Sequence, residues 1–280
     1  MCSAELSASE AERLRAFERQ GHDALATSYH AFFAPVTALA ISPLLDALRL
    51  RQGARLLDVA TGPGGLAAEA AKRGAHSIGV DLSPRMIELA QRLHPGVYYR
   101  EADVEHLPFA GDVFDAVVCA FGLGHFPRPV VAVAECVRTL LPGGRIAFSW
   151  WDDPVRHRIQ AIFREAIAEI GVSVPPDVPR GHNVHRFSST GEFLQLLKGA
   201  RLVDVTVEEH AATYSVPDSE TLWRGGVGGL VLTGSAIRHQ GKATQDLIRA
   251  AFERRVSYYK SADGLTLPVA FKVGSGRRPI

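Results

Sequence analysis

The sequence predicts a doubly wound α/β fold, and three observations carry that reading. Between residues 50 and 151, short apolar runs of strand length alternate with helical patterns, the rhythm of a parallel sheet covered on both faces. The first run leads into a glycine-rich turn that opens a helix, Asp58-Val-Ala60-Thr-Gly62-Pro-Gly64-Gly-Leu-Ala67. The second ends in an acid, Asp81, at the carboxyl end of its strand, where sheets of this class bind ligands. At 280 residues the chain is one large domain, or one domain with a sizeable insertion, and can bury a core without staples.

The elements follow in order. Residues 9–20 have helical spacing, with Leu14 and Phe17 among charges. Residues 28–50 read as two short helices broken near Pro35 and Pro43. Strands are expected at 54–60, 76–83, 97–103, 114–122 and 145–151. Helices are expected at 65–74, stopped by Gly74; at 83–93, with Ser83 as cap and Pro84 at its first position; and at 129–144, ending in Pro-Gly-Gly. After Trp151 the rhythm breaks into a helix at 155–170, a Pro/Gly-rich loop at 171–188 and a helix at 189–200. A β-rich segment at 201–216, a mostly helical stretch at 218–262 and a last strand at 265–277 complete the chain. The two late strands are expected to complete the sheet. Residues 1–50 form an N-terminal helical cap over a core of 51–280, whose cap insertion spans about 155–200 and 218–262. Such a cap would lie over the carboxyl ends of the strands.

Composition excludes several classes. A net charge of +1 with scattered Lys and Arg offers no field for nucleic acid or an anionic membrane. The three cysteines, Cys2, Cys119 and Cys136, lack metal-ligand spacing, and so odd and low a count suits a reducing cytosol. The charged N-terminus has no signal-peptide core, and no apolar run reads as long enough to span a bilayer. A cytoplasmic protein is expected. His182, His185 and His210 do not have the spacing of a recognised metal site, and no metal is expected.

The glycine turn admits two readings. From Gly62 it fits the G-x-G-x-x-G/A fingerprint of a dinucleotide site. From Asp58 it is an acid followed by a differently spaced loop. A pyrophosphate gains nothing from that carboxylate, whereas a cationic amino-acid cofactor would. Asp81 can accept both hydroxyls of a ribose under either reading. Asp103 and Val104, after the third strand, can hold the amino group and face of an adenine, or serve as turn chemistry.

Taken together, residues 56–64, 79–91, 102–126 and 140–151 resemble, in order and spacing, the class I S-adenosylmethionine-dependent methyltransferases. They are most similar to the ubiquinone/menaquinone-biosynthesis type and its natural-product relatives. The resemblance is close over residues 25–155 and weaker beyond. It implies a Rossmann-like seven-stranded sheet whose last hairpin reverses one strand. By position it also implies cofactor contacts from Asp58, Ala60 (in place of a usual glycine), Gly62, Gly64, Asp81, Leu82, Met86, Asp103, Val104 and Ala120. The cofactor implied is S-adenosylmethionine, leaving S-adenosylhomocysteine. His125 falls at a substrate- or cofactor-facing position and is the best candidate base. Tyr29 and Phe33 are candidate lid contacts, and Phe121, Tyr214 and Trp223 are further aromatic candidates for a small hydrophobic acceptor. Arg224 is a candidate anion contact. The absence of N-P-P-[YF] after the fourth strand argues against the common amino-group methyltransferases of nucleic acids and proteins. Two alternatives stand beside methyl transfer: a cofactor-assisted rearrangement or cyclisation, and an NAD-dependent oxidoreductase.

Overall fold

A computed structural model describes residues 6–172, 178–179 and 183–280. The first helix, α1 (Ala8–Thr37), starts at a reciprocal capping box in which Ser7 and Glu10 bind each other's backbone amides. It runs unbroken through 30 residues, so the expected break near Pro35 does not occur. Pro35 sits in the last turn, where its missing N–H removes a single rung of the ladder. The break comes at residues 38–40, a 3₁₀ turn that leads into α2 (Ile41–Leu48). Pro43 lies in the first turn of α2, where backbone amides have no intrahelical partner.

The run from Ala8 to Leu48 is, by length and composition, apolar enough to cross a membrane, contrary to the sequence expectation. In the fold part of its apolar surface is committed to the core, where Phe33, Val36, Ala40, Leu44 and Leu48 are buried.

The strands β1 (Arg55–Val59), β2 (His76–Asp81), β3 (Tyr98–Glu101), β4 (Phe114–Ala120) and β5 (Leu140–Trp151) pair in parallel. Between them run α3 (Gly65–Lys72), α4 (Pro84–Leu93) and α5 (Pro129–Thr139). Ser83 caps α4 by accepting from the Met86 amide, with Pro84 in the first turn. α5 ends five residues before the expected boundary, and Leu140 to Gly144 join β5 across a register shift opposite Phe114 and Ala116.

The second half adds α6 (Arg158–Ile170), α7 (Thr190–Gly199), β6 (Val203–Val216), α8 (Ser219–Gly229), α9 (Val231–Arg238) and α10 (Lys242–Val256). The two-residue β7 (Lys260–Ser261) and the long β8 (Gly264–Arg277) close the chain. The strand order is β3-β2-β1-β4-β5-β8-β6, with β7 beside β8. β8 is antiparallel to both β5 and β6. α7 packs against β6, β8 and α5, so this part of the late segment is a sheet layer and not a cover. The other late helices pack on one another and on α1. Their contacts are close because glycines stand at them. A Cβ at Gly225 would come 2.2 Å from the Phe32 ring, and one at Gly226 would come 2.1 Å from Phe163. The glycine-rich 223–234 stretch is therefore a tightly packed helix seam.

Candidate active site

The carboxyl ends of β1, β2 and β4 open into a cavity of about 820 Å³, its mouth included. The reversal of strand order falls between β1 and β4, the place where open sheets of this kind hold ligands. Of the residues expected to meet a cofactor, Ala60, Gly62, Asp81, Leu82, Met86, Asp103, Val104 and Ala120 line this cavity.

The loop after β1 is built for close approach. Ala60, Gly62 and Gly64 all have positive φ, at 53°, 54° and 84°. Only glycine adopts that region freely, so Ala60 carries strain of about 1 kcal/mol. Gly64 lies behind the wall, pinned from below by Tyr99, whose hydroxyl donates to the Gly64 carbonyl at 3.0 Å. A Cβ at Gly64 would come 2.6 Å from that hydroxyl. Sequence reasoning missed Tyr99, a buried aromatic on the third strand with no motif to mark it.

Asp58 also lies behind the loop and does not line the cavity. Its Oδ2 accepts from the Thr61 hydroxyl at 2.6 Å and from the Ala67 amide at 3.2 Å. Its Oδ1 is buried and has no partner. Burial pushes this carboxyl up to about 7, against the pull of the two hydrogen bonds. Asp81 is held by the Gly62 amide at 2.8 Å and the Ser83 amide at 2.9 Å. Burial raises its pKa, and the amides and nearby His22 and His125 oppose the rise. Two bonds leave lone pairs on the Asp81 carboxylate for hydroxyl donors.

α1 crosses this edge and is tied to it by charge. Arg15 pairs with Asp103 at 2.9 Å and Glu105 at 2.8 Å, and Arg19 pairs with Glu101 at 2.7 Å. Asp23 accepts from the Ser83 hydroxyl at 2.5 Å. Glu18, 3% exposed, meets His125 Nδ1 at 3.1 Å, and His22 Nδ1 lies 3.5 Å from the same carboxylate. Burial lowers the His125 pKa, but the Glu18 carboxylate outweighs it and the net shift is upward. Glu18, His22 and His125 bring their donor atoms within 4.8 Å of one another, a set able to hold a metal ion. Only His125 of the three was marked in the sequence. The available signal was Glu18, a charge in register with buried Ala11 and Leu14 on α1.

A second cavity, about 620 Å³, shares His22, Tyr29, Phe121 and His125 with the first. Phe33, Trp150, Trp151, Gln160, Arg164 and the 229–233 stretch also line it. Tyr29, Phe33 and Phe121 thus line this second cavity. Tyr214 and Trp223 line neither cavity: Tyr214 packs edge-on against Phe32 on β6, and Trp223 stacks on Phe163 between helices. Arg224 is exposed on α8 and lines neither cavity. Both tryptophans of β5 are buried in the main core and also form cavity wall. His210 stacks on Phe271 and His185 meets Arg164, so these two histidines do not converge. His182, Cys2 and most of the 173–182 loop lie outside the described residues.

Comparison with known proteins agrees with this geometry. A family described as a methyltransferase domain matches residues 57–148, from β1 into β5. The chain carries a class I S-adenosylmethionine-dependent methyltransferase domain. It is 34% identical over 163 residues to an uncharacterised protein of Mycobacterium tuberculosis, covering 56% of this chain and 60% of that protein. It is 34% identical over 119 residues to the demethylmenaquinone methyltransferase of Beutenbergia cavernae, covering 42% of this chain and 50% of the relative. The chain thus spans about 60% of the length of the curated relatives it matches first. Among solved structures, phosphoethanolamine N-methyltransferase 2 of Haemonchus contortus, in complex with S-adenosyl-L-methionine, has the same fold. Its TM-score is 0.56 at 18% identity, over 95% of this chain and 60% of that one. A [4+2]-cyclase also shares the fold, with a TM-score of 0.50 at 18% identity over 88% of this chain and 80% of that one.

Proposed function

We propose that this protein transfers a methyl group from S-adenosylmethionine to an O, N or C nucleophile of a small, largely apolar molecule. The observation that carries the reading is the pairing of two cavities. One has a glycine cradle and the Asp81 carboxylate. The other has aromatic walls. They share Tyr29, Phe121 and His125.

The residues present fit the cofactor. Asp81 would take the ribose hydroxyls, and Leu82, Met86 and Val104 would pack on the sugar and base. Asp103, already bound by Arg15, would border the adenine. From behind the loop, the unpartnered Asp58 Oδ1 would act on the ammonium group of the methionine portion through a water. When bound, the cofactor supplies an electrophilic methyl. The chain has to align the nucleophile, exclude water and, where the acceptor is protic, take a proton. α1 excludes water by covering the carboxyl edge. His125, held by Glu18 at 3.1 Å, would take the proton at Nε2.

Calorimetric titration with S-adenosylhomocysteine and with NAD tests the cofactor. The homocysteine product should bind, and its affinity should fall as pH drops below about 7, where Asp58 takes up a proton. The sign follows from an ammonium ion favouring the ionised carboxyl. The same raised pKa means that Asp58 favours the unliganded fold at low pH, a contribution lost as pH rises through about 7. Tight binding of NAD alone would overturn the reading. Mass spectrometry of the products tests the reaction. A gain of one methyl group with release of S-adenosylhomocysteine is expected. An isomerised product with the cofactor unspent would move the chemistry to a rearrangement.

A further inference from the structure

We propose that the second cavity takes an acceptor bearing a carboxylate, and that Arg164 is its anchor. This rests on the reading of the first cavity as the cofactor site, and it names the class of molecule on the other side of His125.

Arg164 projects from α6 into the wall of the second cavity. It also borders a smaller cavity of about 270 Å³ behind Trp151. Its hydrogen-bond partners are neutral. One terminal nitrogen lies 3.0 Å from His185 Nε2, and the other donates to Gln160 Oε1 at 3.1 Å. A guanidinium has five N–H donors, so these two contacts leave it undersatisfied. The surrounding histidines do not supply charge. His157, stacked on Trp151, is held neutral by burial, down to about 3, and the His185 pKa is lowered by burial and by Arg164 itself.

The nearby acids are engaged elsewhere. Asp152 pairs with Lys272 and Arg156, and Glu165 pairs with Arg158. Among the described residues, then, Arg164 has no carboxylate partner. Burial alone pulls its pKa down to about 10. A partly buried cation without a counter-ion is costly, and the usual resolution is an anion.

The rest of the cavity selects which anion. Its walls are Tyr29, Phe33, Phe121 and the two β5 tryptophans, and among the described residues Arg164 is the one Lys or Arg lining it. A phosphate dianion would leave charge uncompensated among aromatic rings. A planar carboxylate on an aromatic or aliphatic body matches one guanidinium fork. The cavity shares His125 with the cofactor side, so an acceptor anchored at Arg164 would have its far part beside that histidine.

The test uses the full chain and two matched probes, 2-naphthoate and its neutral isostere 2-naphthamide, titrated calorimetrically with and without S-adenosylhomocysteine. The naphthoate should bind about tenfold or more tighter than the amide, the scale of a charge-assisted hydrogen bond. In Arg164→Gln the two should agree within about twofold, with amide and S-adenosylhomocysteine affinities kept. Equal affinities in the unmodified protein would overturn the proposal. So would the absence of saturable naphthoate binding at millimolar concentration, or selectivity that survives Arg164→Gln. The unmodified protein alone decides the first two outcomes, so a variant that fails to fold does not block the test. Failure of the probes with S-adenosylhomocysteine bound leaves the cofactor reading standing. Selectivity that depends on Arg164 without any S-adenosylhomocysteine binding would retain the anion site and remove the cofactor.

Discussion

His125 and Glu18 come from opposite sides of the cavity and meet at 3.1 Å, which makes their pair the unit to test at the scale of single residues. The carboxylate holds the histidine pKa above its ordinary value near 6.5 despite burial. The charged pair therefore adds stability at low pH, a contribution lost as pH rises through that raised pKa. A base must be neutral, so the acidic limb of kcat/KM is expected above the ordinary histidine range. Glu18→Gln should move the limb to lower pH, and EDTA should leave the profile unchanged. A limb that stays in place would remove the pair from proton transfer. Loss of rate restored by a divalent ion would make Glu18, His22 and His125 a metal site. The neighbouring backbone is strained as well, with Phe121 at φ 58°. Its amide lies 3.2 Å from both the carbonyl and the hydroxyl oxygen of Ser149, which hold that conformation. Most residues placed on the cavity by motif do line it, because a motif encodes local backbone geometry. Tyr214 and Trp223 do not, because aromatic character alone does not say which face of an element a side chain takes.

At the scale of elements, α1 and the α8 glycine seam decide the shape of the acceptor side. The sequence marked both segments as helical, but not how they pack. Two prolines suggested broken helices, and the continuous α1 instead reaches from Arg15 on the adenine side to Phe33 on the acceptor side. The glycines of α8 have the φ values of an ordinary helix, so their use is space. Gly226→Ala gains about 1 kcal/mol of helix propensity. Against that, its Cβ would stand 2.1 Å from the fully buried Phe163 ring, and overpacking costs about 1–3 kcal/mol. The ring packs between Trp223 and Phe252, so a net loss of about 1 kcal/mol is expected, read as a lower urea midpoint with unchanged slope. A stabilised variant would show that the seam can open.

Across the whole molecule, the reversed strand β8 ties the two halves together. It carries Lys272, 3% exposed, between Asp152 at 3.0 Å and Glu209 at 2.6 Å. Arg156 completes the network with both acids. Lys272→Met would leave the buried Asp152 with Arg156 alone, and a loss of about 3 kcal/mol is expected. Thermal melting checks it, and an unchanged Tm would make the network a surface decoration.

The sequence by itself determined the alternating strand and helix order, the glycine turn with its two acids, the cap of α4 and the resemblance to a methyltransferase family. All of these are written in neighbouring residues, through spacing, φ preference and capping chemistry. Only the tertiary structure decided the rest. It set Glu18 against His125 across 107 positions of chain, slid Tyr99 under Gly64, and turned the β5 tryptophans into cavity wall. It also left Arg164 beside an aromatic pocket without an acid. These contacts depend on which faces of distant elements meet, and burial and charge compensation between distant residues leave no local pattern to read.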